Sequence, residues 1–174
     1  MTDPIEGYLG EITDTKVIIK SDENDVPIIF MSDPVYEVAE SEGYVEVQVW
    51  RMGPDLRNES SVMISTKQLK SLPEKFREQE LSPALFNIDY VGISQMIYFS
   101  PDQTVNKIKI KIDNDAGFPT LEGKEIFQVV LNLPTNAVLT DKNNTFIIID
   151  DAFSDSKSLI YPISHVKSTS FCYF

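Results

Sequence analysis

Carboxylate side chains cluster at the ends of predicted β-strands, where several of them could bind one cation. The candidate ligands are Glu40, Asp113, Asn114, Asp115, Glu122, Glu125, Asp150 and Asp151. The strands that end near residues 40, 112 and 150 would run the same way in a β-sandwich, so their ends can meet at one pole. Carboxylates at one pole repel one another unless a cation lies between them, and oxygen ligands suit calcium rather than zinc or copper. Asp is also common in turns for structural reasons, so these residues also fit an end without metal.

The sequence has few residues of the types that other catalytic or metal-binding sites require. The chain has one His, His165, and one Cys, Cys172, in a polar C-terminal segment. A Ser-His-Asp or Cys-His site would depend on His165, and a zinc site of the usual His/Cys type lacks ligands. Glu122 and Glu125 could mimic a glycosidase pair, but no substrate cleft is indicated, so we expect no enzyme.

The net charge of the chain limits the classes of partner that it could bind. The 174 residues include 27 acidic and 15 basic side chains, a formal net charge of −12. This acid excess argues against nucleic acid and against an anionic membrane surface, and suits either a cation or simple solubility. No run of 18 apolar residues indicates a membrane span, and the N-terminus lacks a signal-peptide pattern. A single Cys excludes an internal disulfide, which does not exclude secretion.

Alternating apolar and polar residues predict a chain built of strands. In 107–112, Ile108, Ile110 and Ile112 face one side, and the lysines between them face the other. Such a period of two is typical of half-buried strands. Strands are predicted at 15–20, 35–40, 44–50, 61–66, 96–99, 107–112, 125–133 and 145–150. With turn residues between them, these strands predict an all-β fold, an antiparallel immunoglobulin-like β-sandwich of about seven strands.

Three segments do not fit the simple pattern of alternating strands and turns. Residues 67–86 are charged and contain Pro73 and Pro83, so we expect a solvated surface loop with one or two turns of helix. Residues 1–27 repeat the turn, strand and acidic-cluster pattern of 137–155, which predicts the last strand and linker of a preceding truncated repeat. Residues 28–152 then form one domain, and residues 153–174 form a C-terminal tail without a clear period.

Several motifs, in order, give the chain a family resemblance over residues 28–152. They are VYEVAESEGYVEVQVWRMG, the Asp89-Tyr90 pair, FSPDQTVNKIKIKIDND, EGKEIFQVVL and FIIIDD, and together they resemble a Calx-beta domain. ESSVMIST, the extended loop before IDYVGIS, DNDAGFPTLEG and LNLPTNAVL are similar to the Calx-beta repeats of Fras/Frem extracellular matrix proteins. This resemblance implies a basement-membrane cell-adhesion module in a larger Calx-beta array, with other matrix proteins and neighbouring repeats as partners. The resemblance implies that the parent protein is either secreted or a single-pass membrane protein.

The resemblance also implies calcium ligands. The family's acidic positions fall on Glu40, on residues 113–115, on Glu122 and Glu125, and on residues 150–152. Three departures weaken the pattern. Asn114 and Ala152 replace acids, and Lys67 and Gln68 follow the third strand where an Asp is expected. The resemblance therefore implies a weak calcium site or fewer ions, since affinity falls with the number of charged ligands.

Other residues have separate expectations. Asn58 and Asn143 begin N-glycosylation sequons in predicted turns, which would be used only in the secretory route. The Asp89-Tyr90 pair is expected to anchor a loop, and Trp50 to pack in or against the core. A cytosolic calcium sensor of the sodium/calcium-exchanger type is the alternative function.

Overall fold

The structure is a computed structural model that describes residues 14–18, 20, 25–114 and 123–150. Those residues contain ten β-strands and two short 3-10 helices, Glu40–Glu42 and Glu74–Phe76. The strands are β1 (Ile28–Met31), β2 (Val35–Ala39), β3 (Tyr44–Met52), β4 (Ser60–Lys67), β5 (Leu81–Pro83), β6 (Ser94–Phe99), β7 (Val105–Lys111), β8 (Lys124–Thr135), β9 (Val138–Leu139) and β10 (Asn144–Asp150).

Two sheets pack face to face and confirm the predicted β-sandwich. The first sheet has the order β7-β3-β1-β9, and the second has the order β2-β10-β8-β4-β6, with β5 paired to β8. Val47 and Val49 of β3 and Ile110 of β7 are fully buried between the sheets, as their alternation predicts. Burying side chains of this size stabilises the fold by about 1.5–3 kcal/mol each.

Seven of the eight predicted strands are present, with ends that differ by at most two residues. β1, β5 and β9 were not predicted, because strands of two to four residues carry no readable period and depend on pairing with longer neighbours. The predicted strand at 15–20 is wrong: its described residues form no strand, and Val17 and Ile18 are largely exposed. A strand depends on hydrogen bonds to a neighbouring strand, so an apolar pattern alone does not make one.

The sandwich is mainly antiparallel, as predicted, with three exceptions. β1 pairs with β9, β2 with β10, and β5 with β8 in parallel. The chain leaves the first sheet after β1 and joins the second sheet as β2, and it repeats this switch from β9 to β10. The opening and closing strands of the domain therefore run side by side in both sheets.

Residues 67–86 contain the predicted turn of helix, Glu74–Phe76, and are mostly exposed, but the segment is not simply solvated. Phe76 is only 5% exposed and packs with Ile126, Phe146 and Ile148 on the outer face of the second sheet. The Phe76 and Phe146 rings meet edge to face, 5.1 Å apart. The segment covers this face because its own apolar side chains supply a second, smaller core, which outweighs its high charge.

Two large apolar side chains of the long strands lie outside the main core. Trp50 is partly exposed on the outer face of the first sheet, against Phe30, rather than in the core. Since Val49 faces inward, strict alternation along β3 already places Trp50 outward. Leu133, two residues after the buried Leu131, is exposed because its positive φ of 50° turns the chain near the end of β8.

Arg51 holds together the end of the sandwich where β1 begins, which we call the N-terminal end. Its guanidinium is fully buried and donates hydrogen bonds at 2.9–3.1 Å. The acceptors are the carbonyl oxygens of Leu56, Asn58, Ser100 and Gln103 and the hydroxyl oxygen of Ser60. One side chain thus fixes two neighbouring loops, and its burial lowers the pKa of Arg51.

Candidate functional site

Strand pairing gathers the predicted ligands at the end of the sandwich opposite Arg51, which we call the acidic end. In the parallel β2–β10 pair, Asp150 lies opposite Ala39, so Glu40 comes directly after the partner of Asp150. In the antiparallel β8–β10 pair, Glu125 lies opposite Ile149. The backbone ladder therefore places three predicted ligands at one end of the second sheet.

The first sheet brings its own predicted ligands to the same end. The Ile112 N–H donates a hydrogen bond to the Gly43 carbonyl at 3.0 Å. Gly43 directly follows the Glu40–Glu42 turn, so this bond places the next residues, Asp113 and Asn114, near that turn. Asp113 is half-buried and Asn114 is exposed. The backbone thus places five of the eight candidates at this end of the sandwich, and their role as ligands stays a prediction. The other three, Asp115, Glu122 and Asp151, lie outside the described residues.

Two lysines at the acidic end were not foreseen as part of the site. Lys124 Nζ is 3.0 Å from an Asp150 carboxylate oxygen, and Lys111 pairs with Asp113. The hydrogen bond from Lys124 to Asp150, together with the Asp150 charge, raises the pKa of Lys124. The position of Lys111 two residues before Asp113 could have signalled that pair, whereas the Lys124 pair depends on strand register.

The donor set fits a hard divalent cation in its chemistry. It consists of carboxylate and amide oxygens, which calcium prefers. In the part of the chain that the structure describes, no three acidic, His or Cys side chains are close enough together to hold a metal ion. With the lysines in place, Asp113 and Asp150 are already paired with cations.

The Asp89-Tyr90 pair anchors a loop beside the acidic end, as expected. The buried Asp89 carboxylate accepts the Leu85 N–H at 2.5 Å, and the Asp89 carbonyl accepts the Asp113 N–H at 3.0 Å. Tyr90 is fully buried and stacks on Phe127 with ring centroids 3.9 Å apart. Burial, with a smaller effect of the Asp89 charge, raises the pKa of Tyr90 to about 12.

The two sequons differ in accessibility. Asn58 is exposed at the N-terminal end, although Ser60 of the same sequon is buried against Arg51. Asn143 is half-buried, and its amide oxygen accepts a hydrogen bond from Asn144 at 3.0 Å. Asn58 is therefore the better placed of the two to carry a glycan on the folded domain.

Fold and acidic end together define an immunoglobulin-like β-sandwich with carboxylate side chains at one end. A family model described as the Calx-beta domain matches residues 22–71 and 75–152, and the chain belongs to this family. None of the helices among residues 14–18, 20, 25–114 and 123–150 has the length and apolar character needed to cross a membrane.

Relatives in sequence are extracellular matrix proteins. The chain is 39% identical over 153 residues to human FRAS1-related extracellular matrix protein 2. It is 35% identical over 155 residues to Extracellular matrix protein 3 of Lytechinus variegatus. These alignments cover 87% and 89% of the chain but only 4% and 5% of the relatives, so the chain spans a small part of their length.

Solved structures share the fold. The apo form of the Calx CBD1 domain superposes with a TM-score of 0.60 at 24% identity, over 72% of this chain and 97% of that one. A crystal structure of the calcium binding domain CBD12 of CALX1.1 gives a TM-score of 0.59 at 23% identity, over 71% of this chain and 45% of that one.

Proposed function

We propose that this chain is a non-catalytic, calcium-binding adhesion module of an extracellular matrix protein. The observation that carries the proposal is the convergence of strand ends that brings Glu40, Asp113, Glu125 and Asp150 to one end of the sandwich. A cluster of oxygen ligands supplied by strand ends and loops has the chemistry that calcium requires.

Calcium binding in this proposal is a competition with lysine. The ion would be held by Asp113, Asn114, Glu40 and Asp150, with Asp115, Glu122, Glu125 and Asp151 as further ligands. Lys124 and Lys111 would have to leave the carboxylates with which they pair. Together with the replacement of acids at Asn114 and Ala152, this competition makes the proposed site weak.

The names of the relatives support the extracellular part of the proposal. FRAS1-related extracellular matrix protein 2 and Extracellular matrix protein 3 both carry the location in their names. We therefore propose that the module works in the extracellular matrix or basement membrane, as part of a larger Calx-beta array that includes the end of a preceding repeat in residues 1–27. A glycan on the exposed Asn58 would mark passage through the secretory route.

A thermal melt with and without calcium tests the cation part of the proposal. A ligand that binds only the folded state stabilises it, by about 1.4 kcal/mol at ten times its Kd. For a domain of this size the expected rise in melting temperature is about 3–6 °C. The double substitution Asp113→Asn and Asp150→Asn should abolish the rise, whereas Asp141→Asn, an exposed residue away from the acidic end, should preserve it.

Mass spectrometry of the parent protein from its native tissue tests the extracellular part. A glycan on Asn58 supports secretion. An intracellular protein that lacks this glycan but binds calcium would favour the cytosolic sensor instead.

A further inference from the structure

A loop at the acidic end holds four apolar side chains in solvent. We call this loop, residues 84–92, the knob. Leu85, Phe86, Ile88 and Val91 are each between 37% and 52% exposed. Apolar side chains gathered on one short loop are typical of an interaction surface rather than of a solvated turn.

Internal contacts hold the knob in this shape. Asn87 has a positive φ of 60°, and its N–H donates to the Tyr90 carbonyl at 2.9 Å. The Asp89 carboxylate fixes the Leu85 N–H, and a Cβ at Gly92 would collide with the Phe86 ring. The apolar side chains therefore point outward from a loop that is already ordered, which lowers the entropy cost of docking.

A second apolar patch lies at the N-terminal end, on the outer face of the first sheet. We call this surface the patch, and it consists of Ile28, Trp50, Met52 and Val138. Each of these side chains is between 36% and 51% exposed. Strand register makes them neighbours, because Ile28 lies opposite both Met52 and Val138. Residues 67–83 cover the second sheet's outer face, but among the described residues no segment covers this patch.

The two surfaces occupy the two points where the chain enters and leaves the sandwich. Ile28 is the first residue of β1, and the chain leaves β10 at Asp150, at the same end as the knob. We propose that the knob of one Calx-beta module docks head to tail on the patch of the next copy of the same fold. This inference rests on the proposed function only in treating the chain as one module of an array, and it does not require calcium.

Both halves of this contact are present on one chain, so two copies should associate in solution. Each surface is small, so the contact between separate copies should be weak. Within an array the linker raises the effective concentration to the millimolar range, where a weak contact is populated. Head-to-tail contacts propagate as an open chain when their rotation does not close a ring, which suits an extended array.

Trp50 reports directly on the contact because it is the only tryptophan and belongs to the patch. We would follow the Trp50 emission and the sedimentation of the full 174-residue chain, under reducing conditions, up to about 1 mM. The expected result is a blue shift of the emission together with a rising average mass. Ile88→Ser, at an exposed position, should abolish both changes while leaving the melting temperature unchanged; Phe86→Ser is the second knob variant.

A mixing experiment establishes which surface meets which. The Ile88→Ser chain retains Trp50 and the patch but lacks a working knob, and the Trp50→Phe chain retains the knob without the fluorophore. Adding the Trp50→Phe chain should shift the Trp50 emission of the Ile88→Ser chain. Two results would overturn the proposal: no shift in any mixture at about 1 mM, or a full shift in the Ile88→Ser chain alone, which would mean that patches pair with each other. Either result with an unchanged calcium titration would reject the docking and leave the proposed function standing.

Discussion

Asp150 lies directly opposite Lys124 in the β8–β10 pair, and Lys124 Nζ is 3.0 Å from the Asp150 carboxylate. The Asp150 side chain is only 8% exposed, whereas Lys124 is 43% exposed. A nearly buried carboxylate of the acidic end is therefore neutralised by a lysine that is partly exposed to solvent. This arrangement stabilises the end without metal and leaves the carboxylate available to a cation that displaces the lysine.

Replacing Lys124 tests that competition. Lys124→Met should strengthen calcium binding about two- to fivefold, because an ion pair of this kind is worth up to about 1 kcal/mol and calcium would no longer have to break it. Calorimetric titration measures the effect. Lys107→Met is the matched control, since Lys107 pairs with Glu46 on the outer face of the first sheet and its loss should leave the calcium affinity unchanged.

Residues 67–83, which cover the outer face of the second sheet, should contribute to the stability of the fold. Phe76→Ala should lower the free energy of unfolding by about 3 kcal/mol, because it empties a buried ring site between Phe146 and the rest of the second core. Urea denaturation measures this loss. Glu78→Ala, two residues away and exposed, should cost less than about 0.5 kcal/mol; equal effects of the two changes would mean that the segment is the solvated loop first expected.

The sequence predicted the sandwich well because its inner faces alternate. β3 and β7 are half-buried strands, and their alternating valines and isoleucines identify the buried face directly. The run Phe146–Ile149 instead has no alternation, which is typical of a strand buried on both faces. That run indicated that something covers the second sheet, but the charge of residues 67–86 hid the few apolar side chains that do so.

Arg51 should be sensitive even to a conservative change. Arg51→Lys keeps the charge but can make at most three of the five hydrogen bonds, which leaves buried carbonyl oxygens without a donor. We expect a loss of about 3 kcal/mol in the free energy of unfolding, measured by urea denaturation. The exposed Arg57, which pairs with Asp55, is the control: Arg57→Lys should change stability by less than about 1 kcal/mol.

Tyr90 makes a prediction about alkaline pH. Its pKa rises from 10.0 to about 12 on folding, so the unfolded chain releases the proton first, and stability falls as the pH rises from about 10 to about 12. Tyr90→Phe should flatten this fall. At neutral pH the substitution should be neutral or stabilising by up to about 1 kcal/mol, because no described residue supplies a partner for the buried hydroxyl.

Melts at pH 7, 10 and 11.5 compare Tyr90→Phe with Tyr98→Phe, at a largely exposed tyrosine. An unchanged alkaline fall in Tyr90→Phe would contradict the assignment.

The acidic end could be predicted only in part. Acids after successive strands indicated convergence, and five candidates do converge, because strand direction follows from connectivity. The lysine partners depend on register and on side-chain reach, which a single sequence does not encode as a pattern. The pairing of Lys124 with Asp150 therefore had no signal in the sequence, although it bears most directly on how tightly calcium would bind.

Calorimetric titration of the full chain with calcium tests the central claim most directly. We predict saturable binding with a Kd weaker than that of tight EF-hand buffers, about 10⁻⁵ M or above. Binding should disappear in the Asp113→Asn, Asp150→Asn double variant and persist in Asp141→Asn. No heat of binding at millimolar calcium, or equal binding by the double variant, would contradict the assignment of calcium to the acidic end.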